Sequence, residues 1–108
     1  MSNQINSLSF DILRKYNVLR CEEIFHKIDE WNPTDWACAM AGEMGETCNA
    51  VKKFKRGDGD IRAIADELAD TIIYADLLAA RLNIDLSDAV RQKFNETSIR
   101  RGSSFKLP

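Results

Sequence analysis

Apolar residues return every three or four positions along most of the 108-residue chain, and the strict alternation of a half-buried strand is hard to find. The pattern predicts four helices and an all-α fold. In the first, from about Leu8 to Lys27, Leu8, Ile12, Tyr16, Leu19 and Glu23 fall in one line, with Leu13, Ile24 and Ile28 nearby. Trp31-Asn32-Pro33 is expected to end it, because the residue before a proline is pushed out of the helical region. A second helix should open on a Thr34 or Asp35 cap and run to about Lys55, where Gly57-Asp58-Gly59 stops it. Asp60 is a good cap for a third helix ending near Arg81 or Leu82, and Asp85 or Ser87 starts a fourth that reaches about Arg100. Residues 1–7 and 102–108 read as tails, and the length suits one domain, 1–108, with no second core.

The third helix carries more apolar surface than one buried stripe uses. Ile72, Ile73, Tyr74, Leu77, Leu78 and Leu82 surround more than half of it, so it should be covered on two sides, by the core and by another subunit. A homodimer or homotetramer is the expectation, with the active site close to a subunit interface. The same run does not cross a bilayer, since Asp76 interrupts it well short of the roughly 20 apolar residues required.

Composition narrows the function. The chain is 44% hydrophobic and 30% charged, as globular domains are, and its net charge of −2 lacks the basic footprint that duplex nucleic acid or an anionic membrane calls for. Cys21, Cys38 and Cys48 form no CxxC pair, and the opening MSNQINSLSF has no basic-then-apolar leader. They read as reduced, mostly buried thiols of a cytoplasmic protein.

Chemistry concentrates in four acids. Glu43 and Glu46 are three residues apart, about 60° around a helix, and Glu67 and Asp70 repeat the spacing on the next helix. An isolated pair of this kind is ordinarily a solvated, ion-paired surface. Two matched pairs among small and apolar neighbours are different, because ionised acids beside an apolar stripe need a compensating cation. All-oxygen ligands, four acids and a single histidine favour Mg²⁺, with Mn²⁺ able to substitute, over zinc. A di-iron bundle is poorly supplied, as Glu23 and His26 make one ExxH without its mate.

The array Glu43-x-x-Glu46, then Glu67-x-x-Asp70, with Gly42 and Gly45, an apolar third helix, the NIDL turn and a basic fourth helix, resembles the MazG-like all-α nucleoside triphosphate pyrophosphohydrolases. That group includes dimeric dUTPases and dCTP pyrophosphatases, and the resemblance spans roughly Trp36 to Arg101. It implies Mg²⁺-dependent attack of water on the α-phosphorus of a nucleoside triphosphate, preferentially a deoxynucleotide, releasing a monophosphate and pyrophosphate. By similarity the four acids hold the ions, and Glu43 also orients or deprotonates the water. The resemblance also assigns triphosphate contacts to Lys93, Asn95 and Arg100 on the fourth helix, although NETSIRRG departs from the run closer to NRRRY of many relatives.

Other substrate contacts are read from position. Trp36, like Trp31, flanks the Asn-Pro break before the acidic helix, where a ring would stack on a base or simply pack. Asn49, one turn beyond Glu46, is placed to bond a sugar or base. Lys53, with Lys52, Lys55 and Arg56, is placed to reach phosphate in its own or a neighbouring subunit, or to be solvated. His26 reads as a surface or packing residue. The alternative to an enzyme is a helical interaction or regulatory module without turnover.

Overall fold

The computed structural model describes residues 7–108, so most of the N-terminal tail read from the sequence lies outside the described residues. Four helices follow in order: α1 (Phe10–Ile24), α2 (Pro33–Arg56), α3 (Ile61–Arg81) and α4 (Leu86–Arg101), with a short 3-10 turn, Ile28–Glu30, before α2. No strand occurs among the described residues, and the fold is all-α. No helix among them is long and apolar enough to cross a membrane.

Capping fixes the boundaries. The Ser9, Asp60 and Asp85 side chains each accept from an amide three residues on, as does that of Asn32, and so neutralise unpaired donors of the first turns. Asn32, rather than Thr34 or Asp35, caps α2. Pro33 suits the first helical position, where no amide proton is needed, and Asp35 completes a capping box by accepting from the Asn32 amide. α2 ends at Gly57, whose φ of 84° is left-handed and unfavourable for any residue with a Cβ. α1 stops at Ile24, short of the expected Lys27, because the Phe25 and His26 amides both turn back to the Cys21 carbonyl.

α2 and α3 form the main helical hairpin, and α1 lies against α3. The core is small: Cys21 from α1, Trp36 from α2 and Leu77 from α3, with Ile28, Trp31, Ile73, Tyr74 and Leu78 packed around them. Cys38 and Cys48 are exposed, so only one of the three thiols is buried, contrary to the expectation. Burial pushes the Cys21 thiol above its usual range.

The face of α1 that meets α3 is also not the one its apolar stripe predicts. Leu8, Ile12, Tyr16 and Leu19 are exposed, while Asn17 and Cys21 are buried. The cause is Asp76, which is 0% exposed. Its carboxylate receives Arg14 Nε at 3.0 Å and Asn17 Nδ2 at 3.1 Å, and Arg14 also reaches the Ile84 carbonyl at 2.9 Å. A buried, unpaired carboxylate costs several kcal/mol, so α1 turns its polar edge inward and leaves its apolar edge outside.

α4 stands away from the hairpin and has its main packing against α1. Residues 102–108 are not a free tail. Both amide atoms of Asn95 engage the Leu107 backbone, at 3.0 and 2.7 Å, and Arg91 donates to the Pro108 carbonyl, so the segment runs back along α4. The radius of gyration is 16.6 Å, against about 13 Å expected for a compact domain of this length.

Candidate metal centre and adjoining cavity

The hairpin brings Glu43 of α2 together with Glu67 and Asp70 of α3, with one carboxylate oxygen from each lying within 4.8 Å of the others. The spacing of three puts Glu67 and Asp70 on one face of α3, and that face meets α2. One turn further on, the Thr47 and Thr71 hydroxyls approach to 3.2 Å across the hairpin and hold the two acidic segments in register. Glu46 is exposed and stands outside this trio.

None of the four acids takes part in an ion pair among the described residues. The Glu43 carboxyl is accordingly raised above its usual 4.5, first by partial burial and then by the charges of Asp70, Glu67 and Glu46. A cluster of hard oxygen ligands with uncompensated charge fits a divalent cation of the Mg²⁺ or Mn²⁺ type.

Beside the acids opens a cavity of about 240 Å³, and Asp70 belongs to both. Its wall is aromatic. His26 and Trp31 lie 4.6 Å apart between ring centres, Trp31 and Trp36 also 4.6 Å, and Trp36 and Tyr74 6.4 Å. Trp36 is 1% exposed, with its indole proton donated to the Ile28 carbonyl at 3.0 Å. His26, read from sequence as surface or packing, packs within this wall. Asn17, Tyr74 and Asp76 escaped sequence reasoning, although the lone acid Asp76 in TIIYADLLAA was a signal that polar partners had to arrive from elsewhere.

The remaining candidates are scattered. Asn49 and Lys53 are exposed on α2, and Lys53 forms no ion pair among the described residues. Lys93 lies 3.9 Å from Glu96, Arg100 is exposed in the last turn of α4, and the Asn95 side chain is taken up by Leu107. α4 thus does not bring these three onto the acids of its own chain through any substantial α2 or α3 interface.

An all-α hairpin gathers three carboxylates onto one face beside an aromatic cavity, an acidic cluster that could hold a cation. Residues 38–102 match the MazG-like family, and the chain belongs to that family. The matched segment holds all four acids, whereas the Asn17, His26, Trp31 and Trp36 part of the cavity wall lies before it. No curated protein matches the chain.

Proposed function

We propose that the protein is a Mg²⁺-dependent nucleoside triphosphate pyrophosphohydrolase that converts a deoxynucleoside triphosphate and water to the monophosphate and pyrophosphate, as an oligomer in the cytoplasm. The observation that carries this is the position of Asp70, shared between the carboxylate trio and the aromatic cavity. A base stacked on Trp31 and Tyr74, with the buried Trp36 packed behind them, leaves its phosphates toward the acids. At about 240 Å³ the cavity is of a size for a base rather than for a whole nucleotide.

Glu43, Glu67 and Asp70 hold the cation, with Glu46 closing from the next turn of α2. Mg²⁺, or Mn²⁺ in its place, supplies charge neutralisation for the triphosphate and activation of water. Glu43, whose carboxyl is raised by partial burial and by its acidic neighbours, orients the attacking water and takes its proton.

Exposed apolar side chains support the oligomeric reading. Leu8 ahead of α1, Ile12, Tyr16 and Leu19 on it, and Met44, Val51, Leu68 and Ile72 on the hairpin are each exposed, and such apolar side chains suit a covering partner. A dimer, or a dimer of dimers, covers them. It also lets Lys93 and Arg100 on the outlying α4 serve the phosphates held by a neighbouring subunit.

The test is pyrophosphate release from deoxynucleoside triphosphates in Mg²⁺, with sedimentation equilibrium on the same sample. Turnover in Mg²⁺ that chelator abolishes, from a species larger than 12.3 kDa, is the expected result. Release of orthophosphate and a diphosphate, or a fully active monomer, overturns the corresponding part.

A further inference from the structure

We infer that Arg81, at the end of α3, is a positioning residue for substrate binding: it seats Trp31 in the wall of the aromatic cavity, at a spacing from Asp70 that α3 itself fixes. This rests on the reading of the cavity as the base site.

The turn that carries Trp31, residues 25–32, lies between α1 and α2 and is held by side chains from three helices. α1 takes its near end, where Cys21 Sγ donates to the His26 carbonyl at 3.2 Å and Glu22 accepts from the Ile28 amide at 3.0 Å. α2 takes its middle, where the Trp36 indole donates to the Ile28 carbonyl at 3.0 Å. α3 takes its far end through Arg81, whose Nε donates to the Trp31 carbonyl at 2.8 Å. No other side chain among the described residues bonds to Trp31. The half-buried Arg81 also has no carboxylate partner among them, so its charge strengthens this one contact. Without Arg81 the turn stays tied at His26 and Ile28 but is loose at Trp31.

The helix that holds Trp31 is the helix that carries the acids. Asp70, Tyr74 and Arg81 follow one another at spacings of four and seven, so they lie within about 40° of one line along α3, with about 16 Å of helix from first to last. Asp70 belongs to the carboxylate trio, while Tyr74 and Trp31 line the cavity. One rigid element therefore sets both ends of the substrate, the phosphates at Asp70 and the base at Trp31. The neighbouring rings of His26 and Trp36, each 4.6 Å from Trp31, tolerate offset, whereas the hydrogen bond fixes the backbone beneath the ring.

The reacting phosphorus sits at the cation and away from the wall. A displaced Trp31 thus weakens the ground state and the transition state alike, which raises KM and leaves kcat in place.

Arg81→Met keeps the aliphatic stem and deletes every donor, and Arg81→Lys keeps a charged donor. Pyrophosphate release by the full-length protein in Mg²⁺ is measured on dATP, dCTP, dGTP, dTTP and dUTP, and intrinsic fluorescence on the same protein without nucleotide. For the best of the five substrates, Arg81→Met should raise KM about tenfold with kcat within about twofold, and Arg81→Lys should bring KM back to within about threefold of wild type. Trp31 and Trp36 are the only tryptophans and Trp36 is 1% exposed, so a red shift and stronger acrylamide quenching in Arg81→Met report Trp31. In a Trp31→Ala protein, Arg81→Met should add nothing further to KM. An unchanged KM in Arg81→Met where Trp31→Ala raises it overturns the inference and leaves the base site standing. A fall in kcat instead, additive effects in the double variant, or loss of helix content in Arg81→Met also overturn it. An unchanged KM in both single variants, or no turnover of any of the five by the wild type, overturns the inference and the reading beneath it together.

Discussion

Thr47 and Thr71 face one another across the hairpin, hydroxyl to hydroxyl at 3.2 Å, and each hydroxyl also lies within 3.0 Å of the carbonyl of an acid one turn back, Glu43 or Glu67. Each hydroxyl has one proton, so the pair shares its bonds between the cross-helix contact and the two carbonyls. Thr71→Val keeps the shape and removes the link. It should cost about 1 kcal/mol of stability and weaken Mg²⁺ binding by several-fold. Urea melts and calorimetric Mg²⁺ titration check both, and unchanged metal affinity would show that the two threonines do not hold the acids in register.

Asp70→Asn should abolish pyrophosphate release while raising the melting temperature of the metal-free protein. The substitution removes a ligand and relieves repulsion on Glu43 at once. Circular dichroism separates this from unfolding. Retention of half the wild-type turnover in saturating Mg²⁺ would take Asp70 out of the centre.

Glu43 makes a pH prediction. Its folded-state pKa is raised above the usual 4.5, so the folded form holds its proton more tightly than the unfolded chain. Its contribution to metal-free stability is full below the unfolded value and is lost as pH rises through the raised one. Mg²⁺ competes with that proton, so the Mg²⁺-induced rise in melting temperature should be small near about pH 4 and grow toward about pH 7. Melts with and without Mg²⁺ measure it, and Glu43→Gln should flatten the metal-free profile. A Mg²⁺ shift of equal size at both ends refutes the link.

Arg14→Ala should be the most damaging single change on α1, destabilising by about 3 kcal/mol. It leaves Asp76 buried without its cation, and the low end of the range for broken buried pairs applies because Arg14 itself is partly exposed. Chemical denaturation gives the value. A loss below about 1 kcal/mol would mean that Asn17 alone satisfies the carboxylate.

Much of this architecture was legible in the chain because it depends on local rules. Asp60, Asp85 and Gly57 act over one turn of backbone, and the acidic spacing of three puts Glu67 and Asp70 on one face wherever the helix goes. Which residues face the core depends on distant partners. The stripe Leu8, Ile12, Tyr16 and Leu19 obeys helical periodicity, yet Asp76, about 60 residues away, decides that α1 turns its other edge inward. Asn95 was read as a substrate contact, and no local pattern signals that Leu107 returns to it. The aromatic cavity was visible as two tryptophans around a proline, without the His26, Tyr74 and Asn17 that complete it.

Glu43, Glu67 and Asp70 all reside on one hairpin whose helices are joined by only the residues 57–60. Closing so short a connection is fast, since the entropy lost in bringing chain segments together grows with the length between them. The carboxylate trio therefore belongs to the part of the molecule that assembles from near neighbours. The cavity wall needs Asn17 and Cys21 of α1 to meet Ile73 and Leu77, more than fifty residues along, and so carries the larger closure entropy. The acidic trio and the aromatic wall thus differ in the length of chain that each has to close.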